Sequence, residues 1–214
     1  MVARHSPRNP VPTVFVIDDD PDVRLALNRL LESVGWSVAT FPSAQRFLEA
    51  SDDARGCLVL DLAMPGLNGL ELQKALEARG SVLPIVFLTG RGDVASSVAA
   101  MKGGAVDFLE KPVDDERLLA AVSQALAKHE ELQDERDRRE QVAVRLALLT
   151  ARERQVLDLI VAGRLNKQIA AALGTVEKTI KFHRANVMHK MGVRTLADLV
   201  KIAERAGIGT DTGN

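Results

Sequence analysis

The chain has 214 residues, 46% hydrophobic and 27% charged, which is ordinary for globular protein and long enough for two modest domains that each bury a core. A net charge of −1 conceals an asymmetry, because residues 1–145 carry 17 Lys and Arg against 23 Asp and Glu while residues 146–214 carry 11 against 6. A single cysteine, Cys57, excludes an intramolecular disulfide and a thiolate metal cluster, and no stretch approaches the roughly 20 apolar residues that cross a bilayer.

The opening segment, residues 1–12, lacks the apolar core of a signal peptide, so the expectation is a cytoplasmic protein with no membrane partner. Strand-like and helix-like segments then alternate to about residue 127. Val14–Ile17 is a short apolar run; Pro21 opens an amphipathic helix at its favoured first position, with Leu25, Leu27, Leu30, Leu31 and Val34 on it and Gly35 ending it. Ser37–Phe41, Cys57–Leu60, Ile85–Leu88 and Asp107–Leu109 are the further strands, followed by helical stretches near Ser43–Ala50, Leu70–Ala78, Val94–Lys102 and Asp114–Ala127. Five such units predict a doubly wound, five-stranded parallel sheet with helices on both faces. Cys57, inside an apolar run, reads as inert core.

From residue 128 the chain becomes charge-laced without Gly or Pro, with Asp134/Arg138 and Glu135/Arg139 at helical spacing. This predicts a solvated helix extending the fifth one, with a disordered charged connector as the alternative. Beyond residue 146 four helices are expected. Thr150-Ala-Arg-Glu153 is a capping box ahead of Val156, Leu157, Leu159 and Ile160, and Gly163 closes that helix. Asn166 is expected to cap Lys167–Leu173, Gly174 to make a turn, and Glu177–Met191 to form a longer helix with Ile180, Val187 and Met191 inward and Lys178, Lys181, Arg184 and Lys190 elsewhere. A helix, a Gly turn and a basic helix is the helix-turn-helix pattern, and the basic C-terminal third suits a polyanion. Any short helix pair with a Gly turn and some lysines would match the motif alone. The expected division is 12–127, 128–145 and 146–210.

Asp18-Asp19, Asp61, Thr89 and Lys111-Pro112 each end a predicted strand, and parallel sheets place ligand sites at the carboxyl ends of strands. Together they look like a phosphorylation site. A carboxylate that accepts a phosphoryl group must approach an anion, so a dication has to neutralise both, and Mg²⁺ suits a few carboxylate oxygens. In isolation, Asp18, Asp19 and Asp20 would read as acidic residues at a helix start. His5 and His129 sit in polar surroundings, His183 and His189 lack partners at metal-ligand spacing, and Gly103-Gly104 precedes a strand where a nucleotide loop would follow one.

The order Asp18-Asp19, Asp61, Met64-Pro65-Gly66, Thr89-Gly90, Lys111-Pro112 resembles the receiver domain of bacterial two-component response regulators, a flavodoxin-like fold. Leu149–Leu157, Asn166-Lys-Gln-Ile-Ala170 and Lys178-Thr-Ile-Lys-Phe-His-Arg184 resemble the LuxR-type DNA-binding domain, and with Thr89-Gly-Arg-Gly-Asp93 and Val193–Val200 the whole is similar to the FixJ-type subfamily. The resemblance implies that Asp61 is phosphorylated by a sensor histidine kinase and that Asp19 binds Mg²⁺ directly, Asp18 through water and Ala63 through its backbone oxygen. It further implies that Lys111, aimed by a cis bond before Pro112, pairs with the phosphoryl oxygens, that Thr89 supplies a hydroxyl, and that Phe108 swings inward with it. Phosphorylation would then produce a homodimer on double-stranded promoter DNA, with RNA polymerase a further candidate partner. On the DNA side, Lys181, Phe182 and Ala185 would meet base edges, Asn166, Lys167, Thr179, His183 and Arg184 mostly phosphates, with Lys178 in the same set. Val176 departs from the usual Ser cap, and Val113 from the commoner aromatic.

The expected protein is a transcriptional regulator and not an enzyme. An aspartyl-phosphate phosphatase would require an acid/base Asp two residues after the nucleophile, where Ala63 stands. A LuxR-type regulator that binds a small autoinducer would need an apolar cavity and no acidic cluster.

Overall fold

A computed structural model of the chain describes residues 12–50, 54–90, 98 and 100–208. It divides into two compact units that meet at Gln133 and Asp134. The first holds β1 (Thr13–Ile17), α1 (Pro21–Ser33), β2 (Ser37–Phe41), α2 (Ala44–Ala50), β3 (Gly56–Asp61), α3 (Gly69–Ala78), β4 (Ile85–Thr89) and β5 (Asp107–Glu110). All strand pairs are parallel, in the order β2-β1-β3-β4-β5. Of the expected helix at Val94–Lys102, Val98 and residues 100–102 are helical, and the remainder lies outside the described residues, as do Asp93 and His5.

Alternation along each strand sorts the apolar residues onto the two faces of the sheet. Phe15, Ile17, Leu58, Leu60 and Phe87 pack with Phe47 and Leu72 on one side, while Val14, Val16, Cys57, Val59 and Leu88 pack with Leu31, Leu118 and Val122 on the other. Both faces being covered, the strands need the continuous apolar runs that the sequence contains. Two glycines permit close approaches. A Cβ at Gly56 would fall 1.9 Å from the Thr13 carbonyl oxygen, and one at Gly69 would fall 2.7 Å from that of Asp61, so α3 begins directly against the end of β3. Asn68 and Glu71 close that helix start as a reciprocal capping box.

Helix α4 (Asp115–Ala147) runs through the charged stretch without a break, carrying Arg138–Asp134 and Arg139–Glu135 pairs at 3.3 and 2.5 Å. The helical reading of 128–145 therefore holds over the disordered one. His129, expected in polar surroundings, is instead buried on α4, hydrogen-bonded to the Val82 backbone, and burial holds its imidazole below the ordinary range.

The second unit contains α5 (Ala151–Val161), α6 (Asn166–Ala172), α7 (Glu177–Met191) and α8 (Leu196–Arg205) around Leu157, Ile160, Ile169, Ile180, Val187, Met191 and Leu199. The Thr150/Glu153 capping box forms as expected. The cap of α6 does not: Asn166 is already helical, Leu165 is the extended residue before it, and Gln168 accepts the Leu165 N–H at 2.9 Å. Gln168 thus satisfies the N–H of Leu165, no side chain caps the first turn of α6, and the Asn166 Oδ1 is buried without a hydrogen-bond partner. Lys190, expected off the inward face, donates to Glu153 at 2.6 Å and to the Leu148 carbonyl at 3.1 Å.

That contact, followed by the Thr150 backbone N–H, holds the Glu153 carboxyl at about 2 against an ordinary 4.5. A depressed folded pKa contributes stability that is present above the ordinary value and lost as pH falls through the folded one. Wild type is therefore expected to lose an increment of thermal stability between about pH 4.5 and pH 2 that Glu153→Gln has already lost at pH 7. Melting curves of both proteins across that window check this, and parallel curves would contradict it.

Candidate functional site

The strand order reverses between β1 and β3, so their carboxyl ends open a crevice at the sheet's switch point. Asp61 is the last residue of β3, Asp18 and Asp19 follow β1, and Lys111 follows β5. The register carries this convergence: Ile17 lies beside Leu60, Asp61 beside Leu88, and Thr89 beside Glu110.

Asp18 and Asp61 are buried, whereas Asp19 is exposed. Oxygens of all three carboxylates lie within 4.8 Å of one another. Lys111 Nζ donates to Asp18 Oδ2 at 2.7 Å and sits 3.2 Å from Asp61 Oδ1. The bond from Lys111 to Pro112 is cis, as expected. Asp18 is anchored further, its Oδ1 accepting the Asp20 N–H at 2.9 Å and its carbonyl accepting Arg24 Nη1 at 2.7 Å. Asp20 faces away from the chemistry: its Oδ1 accepts the N–H groups of Asp22 and Val23 and caps α1.

Burial raises the Asp61 carboxyl above its ordinary value; Lys111 opposes this, the Asp18 charge adds to it, and a backbone hydrogen bond from Ala63 lowers it again. Lys111 is raised, since its bonds and charges from Asp18 and Asp61 outweigh the burial that would lower it. Three carboxylates against one ammonium leave excess negative charge in a half-dry crevice, which is the donor set and charge that a hard dication fits.

Thr89 ends β4, buried, with its hydroxyl donating to the Gly90 carbonyl at 3.1 Å. Phe108 is half-buried, its ring 6.3 Å from that of Phe87. Arg24 and the Asp20 cap were not among the expected site residues. Arg24 lies one helical turn beyond the carboxylates, and nothing local distinguishes it from other surface arginines.

In the helical unit, Asn166, Lys167 and Arg184 line one cleft of about 460 Å³ together with Arg164 and Glu177. Lys178, Lys181, Phe182 and Ala185 are exposed on α7, and Thr179 and His183 are half-buried. The Val176 side chain makes no cap bond, as its apolar character predicts.

A family model described as the response regulator receiver domain matches residues 14–123, and one described as bacterial regulatory proteins of the luxR family matches residues 147–203. The chain is 46% identical to the transcriptional regulatory protein FixJ of Bradyrhizobium diazoefficiens over 199 residues, covering 92% of this chain and 97% of that one. It is 48% identical to FixJ of Azorhizobium caulinodans, over 91% and 93%. Among solved structures it is similar to the response regulator StyR, with a TM-score of 0.83, 47% identity and coverage of 91% and 99%, and to full-length FixJ from B. japonicum, with 0.56, 45% and coverage of 92% and 97%.

A carboxyl whose folded pKa is raised gives stability that is present below its ordinary value and lost as pH rises through the folded one, so at neutral pH the Asp61 charge costs stability. Asp61→Asn is therefore expected to raise the melting temperature in a chelator. Mg²⁺ should stabilise wild type by mass action, about 2.7 kcal/mol at a hundred times its Kd, and stabilise Asp61→Asn far less. Thermal melts with and without Mg²⁺ measure both effects; a lower melting temperature for the variant in chelator would refute the charge argument.

Proposed function

The chain belongs to the response regulators that join a receiver domain to a LuxR-type DNA-binding domain, and we propose that within it Asp61 accepts the phosphoryl group donated by a sensor histidine kinase. It is a phosphorylation-dependent transcription regulator. The observation that carries the assignment to Asp61 is its position: buried at the end of β3, beside Asp18, Asp19 and the Lys111 ammonium. An aspartyl-phosphate phosphatase is not favoured, since Ala63 stands where its acid/base would be.

In this reading Asp19 and Asp61 would hold Mg²⁺, Asp18 chiefly through water, with the Ala63 carbonyl as a further ligand, and the ion would neutralise the charge that phosphate brings. Asp61 attacks phosphorus in line, an O–P bond forming as the P–N bond of the donor phosphohistidine breaks and the leaving imidazole takes up a proton. Lys111 exchanges part of its hold on Asp18 for the phosphoryl oxygens. The Thr89 hydroxyl leaves the Gly90 carbonyl for the acyl phosphate, and Phe108 follows inward against Phe87. This is a population shift, driven by contacts that exist only in the phosphorylated state.

The output is a homodimer on promoter DNA. We assign residues 12–127 to the receiver, 128–145 to the connector and 146–210 to DNA binding, in a cytoplasmic protein for which RNA polymerase is a candidate partner. Residues 209 and 210 lie outside the described ones. One basic unit of this size makes few contacts, and pairing two on one duplex adds affinity through effective concentration.

Acetyl phosphate with Mg²⁺ is expected to add one phosphoryl group to wild type and none to Asp61→Asn, read by intact-protein mass spectrometry; undiminished labelling of the variant would sink the assignment. Thr89→Ala should label normally while losing most of the phosphate-dependent gain in DNA affinity. Lys181→Ala should relax selectivity at one base position at a cost of about 1–3 kcal/mol, whereas Lys167→Ala should weaken all sequences alike and reduce the salt slope by roughly one unit. Titrations on a full site and a half-site decide the dimer mechanism, which equal affinity of the phosphorylated protein for both would exclude.

A further inference from the structure

The outer face of α7 carries a feature that attraction to phosphate does not explain. Ile180, Val187 and Met191 turn to the core, and on the opposite side Lys178, Lys181, Phe182, Ala185 and His189 are exposed at spacings of three, four and seven. Phe182 is 64% exposed and lies outside the hydrophobic cluster; its ring meets that of its neighbour His183 at 5.9 Å, edge to face. Ala185, one turn on, continues the apolar strip between cations. A ring in this place gains nothing from phosphate oxygens or from the nitrogen and oxygen atoms of base edges. In the major groove, the apolar group that base edges offer is the pyrimidine 5-methyl.

We infer that Phe182, with Ala185 beside it, selects a 5-methylpyrimidine at one position of each half-site, separate from the base that Lys181 reads, while Lys178 supplies charge that holds the helix in the groove. The inference rests on α7 being the groove-entering helix. Thymine carries the methyl in ordinary duplex DNA and 5-methylcytosine carries the same group, so either base satisfies the contact. Shape and apolar area do the reading here, with no hydrogen bond from Phe182.

The test starts from duplexes selected out of a randomised pool by the full-length chain treated with acetyl phosphate and Mg²⁺. Each thymine of the selected site is then replaced singly by deoxyuridine, which removes the methyl and nothing else. At one position per half-site the wild-type affinity is expected to fall about fourfold, the loss that one buried methyl predicts, and for Phe182→Ala the same replacement should change nothing. The exposed position of Phe182 means that this variant should melt as wild type does. Replacing that T·A pair by C·G should weaken binding, with 5-methylation of the cytosine restoring part of it. Wild type tolerating uracil everywhere, Phe182→Ala keeping the same uracil penalty, or methylation restoring nothing would overturn the inference. The Lys178→Glu/Lys181→Glu double variant separates the two levels: full affinity there removes α7 from the groove altogether, whereas lost affinity with tolerated uracil removes only the methyl contact.

Discussion

Asp18 and Asp61 can share a crevice because Lys111 stands between them. Two buried carboxylates with oxygens this close repel, and the ammonium at 2.7 and 3.2 Å opposes that repulsion; burial nevertheless leaves the Asp61 carboxyl raised above its ordinary value. Buried ion pairs commonly fail to repay their desolvation, so this cluster is poor material for stability. Perturbed carboxyls in a crevice instead mark chemistry. The surrounding architecture follows from the need to bring these groups together: β1 and β3 must be neighbours to present the two aspartates, and β5 must be parallel to them for its carboxyl end to deliver the lysine. A sheet with any other strand order would scatter the three residues.

The route from this crevice to the protein surface is short and made of packed parts. Thr89 and Phe87 are on β4, two residues apart and so on the same side of the sheet, and their register partners on β5 are Glu110 and Phe108. The Thr89 hydroxyl is engaged by the carbonyl of Gly90 and Phe108 is half-buried against Phe87. The switch proposed above would use these two groups, because a packed interior shifts between discrete arrangements and does not deform continuously.

Much of this was legible because it is written locally. Apolar runs bounded by Pro and Gly gave the five strands within a residue or two, and Thr150 with Glu153 gave a helix start that the structure reproduces. The charge spacing of residues 134–139 favoured a helix over disorder, and α4 runs through it. Asp18, Asp61 and Lys111 converge as their strand-end positions implied. The misreadings share a cause, since each depends on which neighbour fills a need first. Leu165, and not Asn166, is the extended residue before α6, with Gln168 reaching back to its N–H; and His129, polar by its sequence neighbours, was buried by packing on α4. Propensity and spacing carry no record of such competition.

Helix α7 shows how the second unit separates stability from recognition along one element. Its start lacks a side-chain cap, since Val176 cannot accept from the first turn, a deficit worth about 1 kcal/mol. Its end is closed instead, by Gly192 in the left-handed conformation with φ of 68° and by the Lys190 contact to Glu153 and the Leu148 carbonyl. Ile180, Val187 and Met191 anchor the inner face completely. With the helix held from its far end and its inner side, the first turn need not contribute to stability. Its first N–H groups, at the positive end of the helix dipole, receive no side-chain cap, and the Thr179 N–H turns to the Val176 carbonyl at 3.0 Å. A capping Ser would satisfy one of those donors permanently; Val176 leaves the helix start without that bond, so α7 draws its stability from its inner face and its C-terminal end.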